Sequence, residues 1–253
     1  MKRPSYIIIF ALLFVCLSFG QNSEKVLFVG NSFTYYYNIP VVVEEMAKAN
    51  NVNLEVYQST LGGATLKQHY NGERDLKTTA IIYKNEFDKV VLQDHSTYPL
   101  TQTDTSYAYF KKFSELIKSQ SDAKAYLYAT WMYPQLEQTD YKPRYPIESM
   151  IQRFADKTNS EVLPVGRAFK VFRERYPDVP VFMDDDKHAN HNGAYLAACV
   201  IYGKLTGKSP LGLPHYFKSD EANGEKAIYY VILRNNIAQL CQQVAEEVLN
   251  TID

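Results

Sequence analysis

Three side chains in this sequence have the types and the order that nucleophilic catalysis needs. Ser32 follows the short apolar run Val26-Leu-Phe-Val29 and a Gly-Asn pair, where a strand is expected to turn into a helix. Far downstream, Asp185-Asp-Lys-His188 carries a carboxylate and an imidazole three residues apart. A serine hydroxyl is a weak nucleophile until a base takes its proton, and that base needs an orienting carboxylate. The sequence therefore predicts a serine hydrolase in which Ser32 is the nucleophile, His188 the base and Asp185 the orienting group.

Several alternatives remain open at these positions. Ser32 can simply be the N-cap of the following helix. Asp184 and Asp186 can be solvated loop charges, and His191 can compete with His188 as the base. A metal site built from the aspartates, His188 and His191 is a further alternative, but the spacing matches no calcium-loop or zinc motif. We therefore expect neither a metal nor a cofactor.

The elements that must position these residues alternate along the chain. Apolar, β-branched runs typical of buried strands alternate with patterns typical of helices. We predict strands at residues 26–30, 53–59, 89–93, 123–130 and 161–165, and helices at 39–50, 107–119, 145–158, 168–176, 192–205 and 225–251. This alternation predicts a parallel sheet with helices on both faces. In such a sheet the ligand crevice lies outside the carboxyl ends of the strands, which is where Ser32 falls.

Two more segments just beyond predicted strands can supply hydrogen-bond donors to an oxyanion. Gly62-Gly63 follows the second strand, and glycine lets a backbone N–H approach a ligand closely. Gln93 ends the third strand and offers a side-chain amide. A plain loop at the glycines and a structural hydrogen bond from Gln93 are the alternatives.

Aromatic residues are abundant, with 21 Tyr and 13 Phe. Tyr35, Tyr98, Trp131 and Tyr133 lie close beyond predicted strand ends, where they can line the crevice and stack on the face of a sugar. The alternative is that these rings are packing residues of the core.

The first twenty residues have the features of a secretory signal. Lys2 and Arg3 precede the apolar run 7–17, and Ser18 and Gly20 are the small residues of a cleavage site. We predict a signal peptide at residues 1–20 and one domain at residues 21–253. The apolar run is too short for a permanent membrane span.

The net charge and the cysteines bear on nucleic-acid binding, on a lipid anchor and on a disulfide. Without Lys2 and Arg3, 25 basic residues face 28 acidic ones, a net charge of −3 with no basic block, so we expect no nucleic-acid partner. Val15 before Cys16 is too large for lipoprotein processing, which argues against a lipid anchor. Cys199 and Cys241 stand in apolar helical patterns and favour buried thiols over a disulfide.

Taken together, these segments resemble the SGNH/GDSL hydrolase superfamily, in particular a bacterial branch similar to carbohydrate esterases. Gly30-Asn-Ser32-Phe resembles the first block with its nucleophilic serine, and Gly62-Gly63 resembles the second with its glycine donor. Asp185-Asp-Lys-His188 followed by Gly193-Ala-Tyr-Leu196 resembles the last block. The third block departs from the usual Gly-x-Asn-Asp: Leu92-Gln-Asp-His-Ser96 partly resembles the Gln-Gly-Glu-Ser-like sequence of carbohydrate esterases.

The resemblance implies a three-layer α/β/α sandwich with a five-stranded parallel, flavodoxin-like sheet. It also implies an exported, periplasmic or secreted, serine esterase that removes O-acetyl groups from an acylated carbohydrate. The N–H groups of Ser32 and Gly63 and the amide of Gln93 would stabilise the oxyanion. A lipase or thioesterase acting on acyl chains, or a non-catalytic carbohydrate-binding protein on the same fold, are the alternatives.

Overall fold

A parallel β-sheet forms the centre of the protein. The computed structural model describes residues 23–137, 141–218 and 229–251, so the predicted signal peptide at residues 1–20 lies outside the described residues. The strands of this sheet are β1 (Glu24–Gly30), β2 (Leu54–Thr60), β3 (Lys89–Leu92), β4 (Lys124–Tyr128) and β5 (Glu161–Leu163). Their order is β2-β1-β3-β4-β5, and every neighbouring pair is parallel. The predicted five-stranded parallel sheet is confirmed.

Helices cover both faces of the sheet. They are α1 (Ser32–Tyr35), α2 (Ile39–Ala49), α3 (Leu66–Asn71), α4 (Thr78–Lys84), α5 (Tyr98–Thr101), α6 (Thr103–Gln120), α7 (Pro134–Glu137), α8 (Pro146–Thr158), α9 (Val165–Arg175), α10 (His191–Thr206) and α11 (Asn235–Asn250). One core lies under α2, α9, α10 and α11, and the other under α3, α4, α6 and α8. This is the predicted three-layer α/β/α sandwich. None of the helices in these described ranges combines the length and the apolar character needed to cross a membrane.

The strand that leads to Ser32 is buried on both faces. Val26 and Phe28 of β1 point into one core, Leu27 and Val29 point into the other, and all four are fully buried. Successive side chains of a strand alternate between faces, so a strand covered on both sides needs an unbroken apolar run. The apolar run of β1 therefore suits an interior strand, and β1 lies between β2 and β3 in the sheet.

The predicted helix at residues 225–251 is wrong at residues 229–232, and its residues 225–228 lie outside the described residues. Residues Tyr229–Ile232 form strand β7, which pairs antiparallel with β6 (Tyr216–Lys218) in a separate hairpin, and α11 begins only at Asn235. The aromatic and β-branched residues of β7 favour a strand once a partner is available. The short helices α3, α4 and α5 were not predicted, because segments this short do not show a helical period.

The two cysteines of the described chain are free, buried thiols, as predicted. Cys199 lies on α10 and Cys241 on α11, two helices that pack against each other. Burial raises the pKa of both thiols. They therefore remain protonated and serve as small apolar side chains of the core.

Candidate active site

Ser32 is the first residue of α1, directly beyond the carboxyl end of β1. The N-cap of this helix is Asn31, whose Oδ1 accepts a hydrogen bond from the N–H of Phe33 at 3.1 Å. The alternative that Ser32 is only a helix cap is therefore wrong, and its hydroxyl is left for other partners. The N–H of a first helical residue has no acceptor within its helix, so the N–H of Ser32 is available as a donor.

A tight loop between α9 and α10 presents Asp185 and His188. A bridge between Phe182 and Ala189 closes the loop at its base. Inside it, Oδ1 of Asp185 accepts hydrogen bonds from the N–H of Lys187 at 3.0 Å and of His188 at 2.9 Å. The chain thus wraps around its own carboxylate, which is how a spacing of three residues brings an aspartate and a histidine face to face.

Hydrogen bonds connect the three predicted catalytic side chains in a series that runs from Asp185 through His188 to Ser32. Nδ1 of His188 lies 2.5 Å from Oδ2 of Asp185, and Nε2 of His188 lies 2.8 Å from Oγ of Ser32. Because an ionised carboxylate only accepts, Nδ1 carries the proton, and Nε2 of the neutral ring accepts from the serine hydroxyl. The structure therefore brings Ser32, His188 and Asp185 together in the geometry that a Ser-His-Asp triad requires.

The surroundings fix both the charge of Asp185 and the orientation of His188. Burial acts to raise the pKa of Asp185, but the hydrogen bonds from the His188 ring and from two backbone N–H groups outweigh it and lower that pKa. The carboxylate is consequently ionised at neutral pH. The imidazole packs against the rings of Tyr36 and Phe33, with centroids 4.6 and 5.3 Å away. These contacts hold it over the hydroxyl of Ser32.

The other candidates in this loop lie elsewhere. His191 begins α10, and its ring lies against Tyr37 with centroids 4.1 Å apart, so it does not replace His188 beside Ser32. Asp184 and Asp186 are exposed, as solvated loop charges are. Within the described residues, no group of three or more His, Cys, Asp or Glu side chains is arranged to hold a metal ion.

Gly63 lies in the loop after β2 and offers a free donor. Its φ of 65° belongs to the left-handed region that favours glycine. In the part of the chain that the structure describes, no atom accepts a hydrogen bond from its N–H. The loop is tied to the nucleophile, because Nδ2 of Asn31 donates to the carbonyl of Ala64 at 2.9 Å. Gly63 is therefore held beside the strand end that carries Ser32.

Gln93 does not take the predicted place in the crevice. Its side chain is fully buried, and Oε1 accepts from the N–H of Asn31 at 2.8 Å and from Oγ1 of Thr34 at 2.9 Å. Its Nε2 donates to the carbonyl of Asp94. A β-carbon at Gly30 would lie only 2.5 Å from Oε1, so the glycine makes room for this amide. Gln93 thus holds the turn that carries the nucleophile through hydrogen bonds to Asn31 and Thr34. This corrects its predicted role as an oxyanion donor.

Trp131 is not available to a sugar. Its side chain is fully buried between Phe33 and Phe169, whose ring centroids lie 4.7 and 4.2 Å away. Tyr133 is nearly buried and hydrogen-bonds with Ser96. The prediction that Trp131 is a stacking platform is therefore wrong, since both faces of the indole are already covered.

Tyr35 and Tyr98 are only half-buried and remain candidates for substrate contacts. A β-carbon at Gly62 would lie 3.2 Å from the hydroxyl of Tyr35, which places that hydroxyl at the glycine loop. Tyr98 begins α5, which follows β3, and its ring centroid lies 4.8 Å from that of His95.

A buried histidine, His69, which was not predicted from the sequence, contacts the carbonyl at the end of β1. Nε2 of His69 lies 3.0 Å from the carbonyl of Gly30, and Nδ1 lies 2.7 Å from Oγ1 of Thr78, which also bonds Ser59. Burial lowers the pKa of His69 to about 4, so the ring is neutral at pH 7. Its only sequence signal is a lone histidine on a short helix, which does not distinguish a core residue from a functional one.

Asp94, in the third block, also proves to be structural. Its buried carboxylate accepts hydrogen bonds from the N–H groups of Leu66 and His95 and from Oγ of Ser106, at 2.8 to 2.9 Å. Burial raises the pKa of Asp94 despite these bonds. The residue connects the start of α3 to the loop after β3 and thereby joins the walls of the crevice.

Several solved structures share this architecture. A DUF4886 family protein of Bacteroides uniformis has a TM-score of 0.70 at 18% identity, over 90% of this chain and 95% of its own. A Slackia heliotrinireducens protein proposed to be an SGNH hydrolase has a TM-score of 0.60 at 22% identity, over 73% and 100%. The acetylxylan esterase Axe2 of Geobacillus stearothermophilus has a TM-score of 0.54 at 17% identity, over 72% and 94%. No protein-family model matches the chain, and no curated protein does. The chain therefore has the fold of the SGNH hydrolases.

Proposed function

We propose that the protein is an exported serine esterase that removes O-acetyl groups from a carbohydrate. The observation that carries this proposal is the hydrogen-bonded series Asp185, His188 and Ser32, which lies at the carboxyl edge of the sheet. The free N–H of Gly63 lies in the neighbouring loop, where it supplies a donor for an oxyanion. The shared fold with an acetylxylan esterase supports the choice of acyl group and of substrate class.

The acylation step follows from the hydrogen bonds. Oγ of Ser32 attacks the ester carbonyl carbon while Nε2 of His188 accepts the hydroxyl proton. The ionised Asp185 stabilises the imidazolium and keeps the proton on Nδ1. Negative charge develops on the carbonyl oxygen, where the N–H groups of Ser32 and Gly63 donate to it. Collapse of this intermediate breaks the bond to the sugar oxygen, which takes the proton from His188.

Deacylation repeats the same transfers with water. His188, again neutral, accepts a proton from a water molecule that attacks the acetyl group on Ser32. The second intermediate releases acetate, and the serine recovers its proton from the imidazolium. His188 carries the proton in both steps, so its contact with Ser32 is the bond on which the whole cycle depends.

Two features support an extracytoplasmic carbohydrate as the substrate. Half-buried tyrosines, Tyr35 and Tyr98, flank the crevice and offer both ring faces and hydroxyl groups, the combination that sugars bind well. The signal-like residues 1–20 indicate export, and acetylated polysaccharides are substrates met outside the cytoplasm.

Acetate release tests the proposal directly. Purified protein from residue 21 onward, as wild type and as Ser32→Ala, is incubated with an aryl acetate and with acetylated polysaccharides. Ser119→Ala, at the end of α6 that leads to the opposite edge of the sheet, is the matched control. We expect release by the wild type and the control, and none by Ser32→Ala, with thermal unfolding unchanged in all three proteins.

Other outcomes identify the alternatives. Aryl esters of increasing chain length that are cleaved faster than the acetate would identify an acyl-chain hydrolase and refute the acetylesterase. Binding of a glycan without any serine-dependent release would instead indicate a carbohydrate-binding protein. Export is tested separately by expressing the full chain and sequencing the N-terminus of the mature product, which we expect to begin at Gln21.

A further inference from the structure

A positively charged side chain, that of Lys187, lies over two aromatic rings beside the catalytic residues. Lys187 lies between Asp185 and His188 in the loop, and both of its backbone groups are engaged. Its N–H donates to Asp185, and its carbonyl accepts from Nε1 of Trp131 at 2.9 Å. Its ammonium lies 5.5 Å from the ring centroid of Tyr133 and 6.0 Å from that of Phe33, the residue after the nucleophile. The side chain therefore extends from the base toward the helix that carries Ser32.

No carboxylate in the described residues forms an ion pair with this ammonium. Asp185 is bonded to His188, and Asp184 and Asp186 are exposed without pairing to Lys187. Several other cations of the described chain are paired with glutamates: Arg144 with Glu174, Arg167 with Glu148, Arg173 with Glu137 and Arg175 with Glu247. An ammonium with no carboxylate beside it in the described residues can attract an anion from solution.

His95 supplies a second polar group in the same place. It is half-buried against Tyr98, and Nδ1 lies 3.2 Å from Oγ1 of Thr97. Within the described chain Nε2 has no partner, and because it is not a buried unsatisfied atom it is accessible to solvent. The ammonium of Lys187 lies 5.5 Å from the ring centroid of Tyr133, and Tyr133 hydrogen-bonds with Ser96, the residue after His95, so both groups lie at the same segment. Burial and, after it, the charge of Lys187 lower the pKa of His95. The Thr97 hydroxyl can donate to Nδ1, and Nε2 then carries a proton that it can donate.

We infer that Lys187 and His95 form a subsite for a carboxylate on the sugar that carries the ester, so that the preferred substrates are esters of acidic sugars. This inference rests on the proposed function, because it names the substrate of the same crevice. An ammonium and a ring N–H together donate to the two oxygens of a carboxylate. A neutral sugar would leave the ammonium unpaired at the rim of the site.

Binding to a non-hydrolysing protein tests the inference without relying on turnover. Titration calorimetry on Ser32→Ala compares a trimer of galacturonic acid with a trimer of galactose. We expect the acidic trimer to bind more tightly and its affinity to fall with added salt, because ionic attraction is screened. Adding Lys187→Gln should weaken the acidic trimer about tenfold, the usual scale for a hydrogen bond to a charged group, and leave the neutral trimer within twofold.

Matched variants show whether the effect belongs to this lysine. Lys118→Gln removes the same charge from the end of α6 near the opposite edge of the sheet and should leave both affinities unchanged. Lys187→Arg keeps the charge and should retain most of the preference for the acidic trimer. His95→Phe should weaken only the acidic trimer, by a few fold. Far-ultraviolet circular dichroism on each variant confirms that it is folded.

The outcomes separate the subsite from the proposed function. Equal affinity of Ser32→Ala for the two trimers, or equal losses on both trimers in Lys187→Gln, would overturn the subsite. If hydrolysis of an aryl acetate depends on Ser32 and one of these results is found, the esterase stands and the subsite alone falls. If Lys187 selects the acidic trimer but no ester is hydrolysed, the subsite stands and the esterase falls.

Discussion

Replacing Gln93 by methionine tests whether the buried amide positions the nucleophile or stabilises the oxyanion. Methionine fills a similar volume but is at most a weak hydrogen-bond acceptor. The change leaves the N–H of Asn31 and the hydroxyl of Thr34 without their acceptor, and the carbonyl of Asp94 without this donor. Each buried polar group left unpaired costs about 1–3 kcal/mol, and losses within one network are not additive. We expect the free energy of unfolding to fall by about 3 kcal/mol, and Tm by about 10 °C for a chain of this size.

Urea unfolding and the rate of aryl acetate hydrolysis, measured together, decide between the two roles. Gln93→Met should lower kcat by about 10²-fold as well as the stability, because a turn that loses its support misplaces Ser32. Thr34→Val removes one of the three bonds and should cost about 1 kcal/mol with a smaller loss of kcat. A slowing of turnover by about 10²- to 10³-fold at unchanged stability would refute this reasoning and return Gln93 to the role of an oxyanion donor.

Three further predictions concern Asp185, His69 and Trp131. Asp185→Asn should lower kcat on an aryl acetate by about 10³-fold or more at nearly constant Tm, because the imidazole loses its charged partner at a half-exposed site; a large drop in Tm would contradict this. The pKa of His69 is about 4 in the folded chain against 6.5 for the free side chain, so the unfolded chain binds more protons between these values. The free energy of unfolding should be constant above pH 6.5 and fall by up to about 3 kcal/mol by pH 4, and urea titrations of His69→Gln should lack this decline. Trp131→Ala should cost about 4 kcal/mol and change kcat/KM equally for a sugar acetate and an aryl acetate; a loss confined to the sugar ester would mean that the indole is accessible after all.

The sequence alone determined those features whose physics is local. The unbroken apolar run of β1 predicts a strand buried on both faces, and the alternation of such runs with helical patterns predicts a parallel sheet with covered faces. A hydroxyl just past a strand end falls at the crevice of that class of sheet. The spacing of Asp185 and His188 is short enough for one loop to pair them. For these reasons the sheet was predicted with its class, and the residues at its edge were named as candidates.

The tertiary structure decided everything that depends on which distant elements meet. Ser32 and His188 are 156 residues apart in the chain, and only the packing of α10 and its preceding loop against the first turn joins them. Trp131 is sealed by Phe33 and Phe169, which come from two other segments, so its position beyond a strand said nothing of its burial. Gln93 lies behind the nucleophile because the turn after β1 needs an acceptor there. The burial of a side chain and its hydrogen bonds depend on contacts with residues from distant parts of the chain. A single sequence does not show which residues make these contacts.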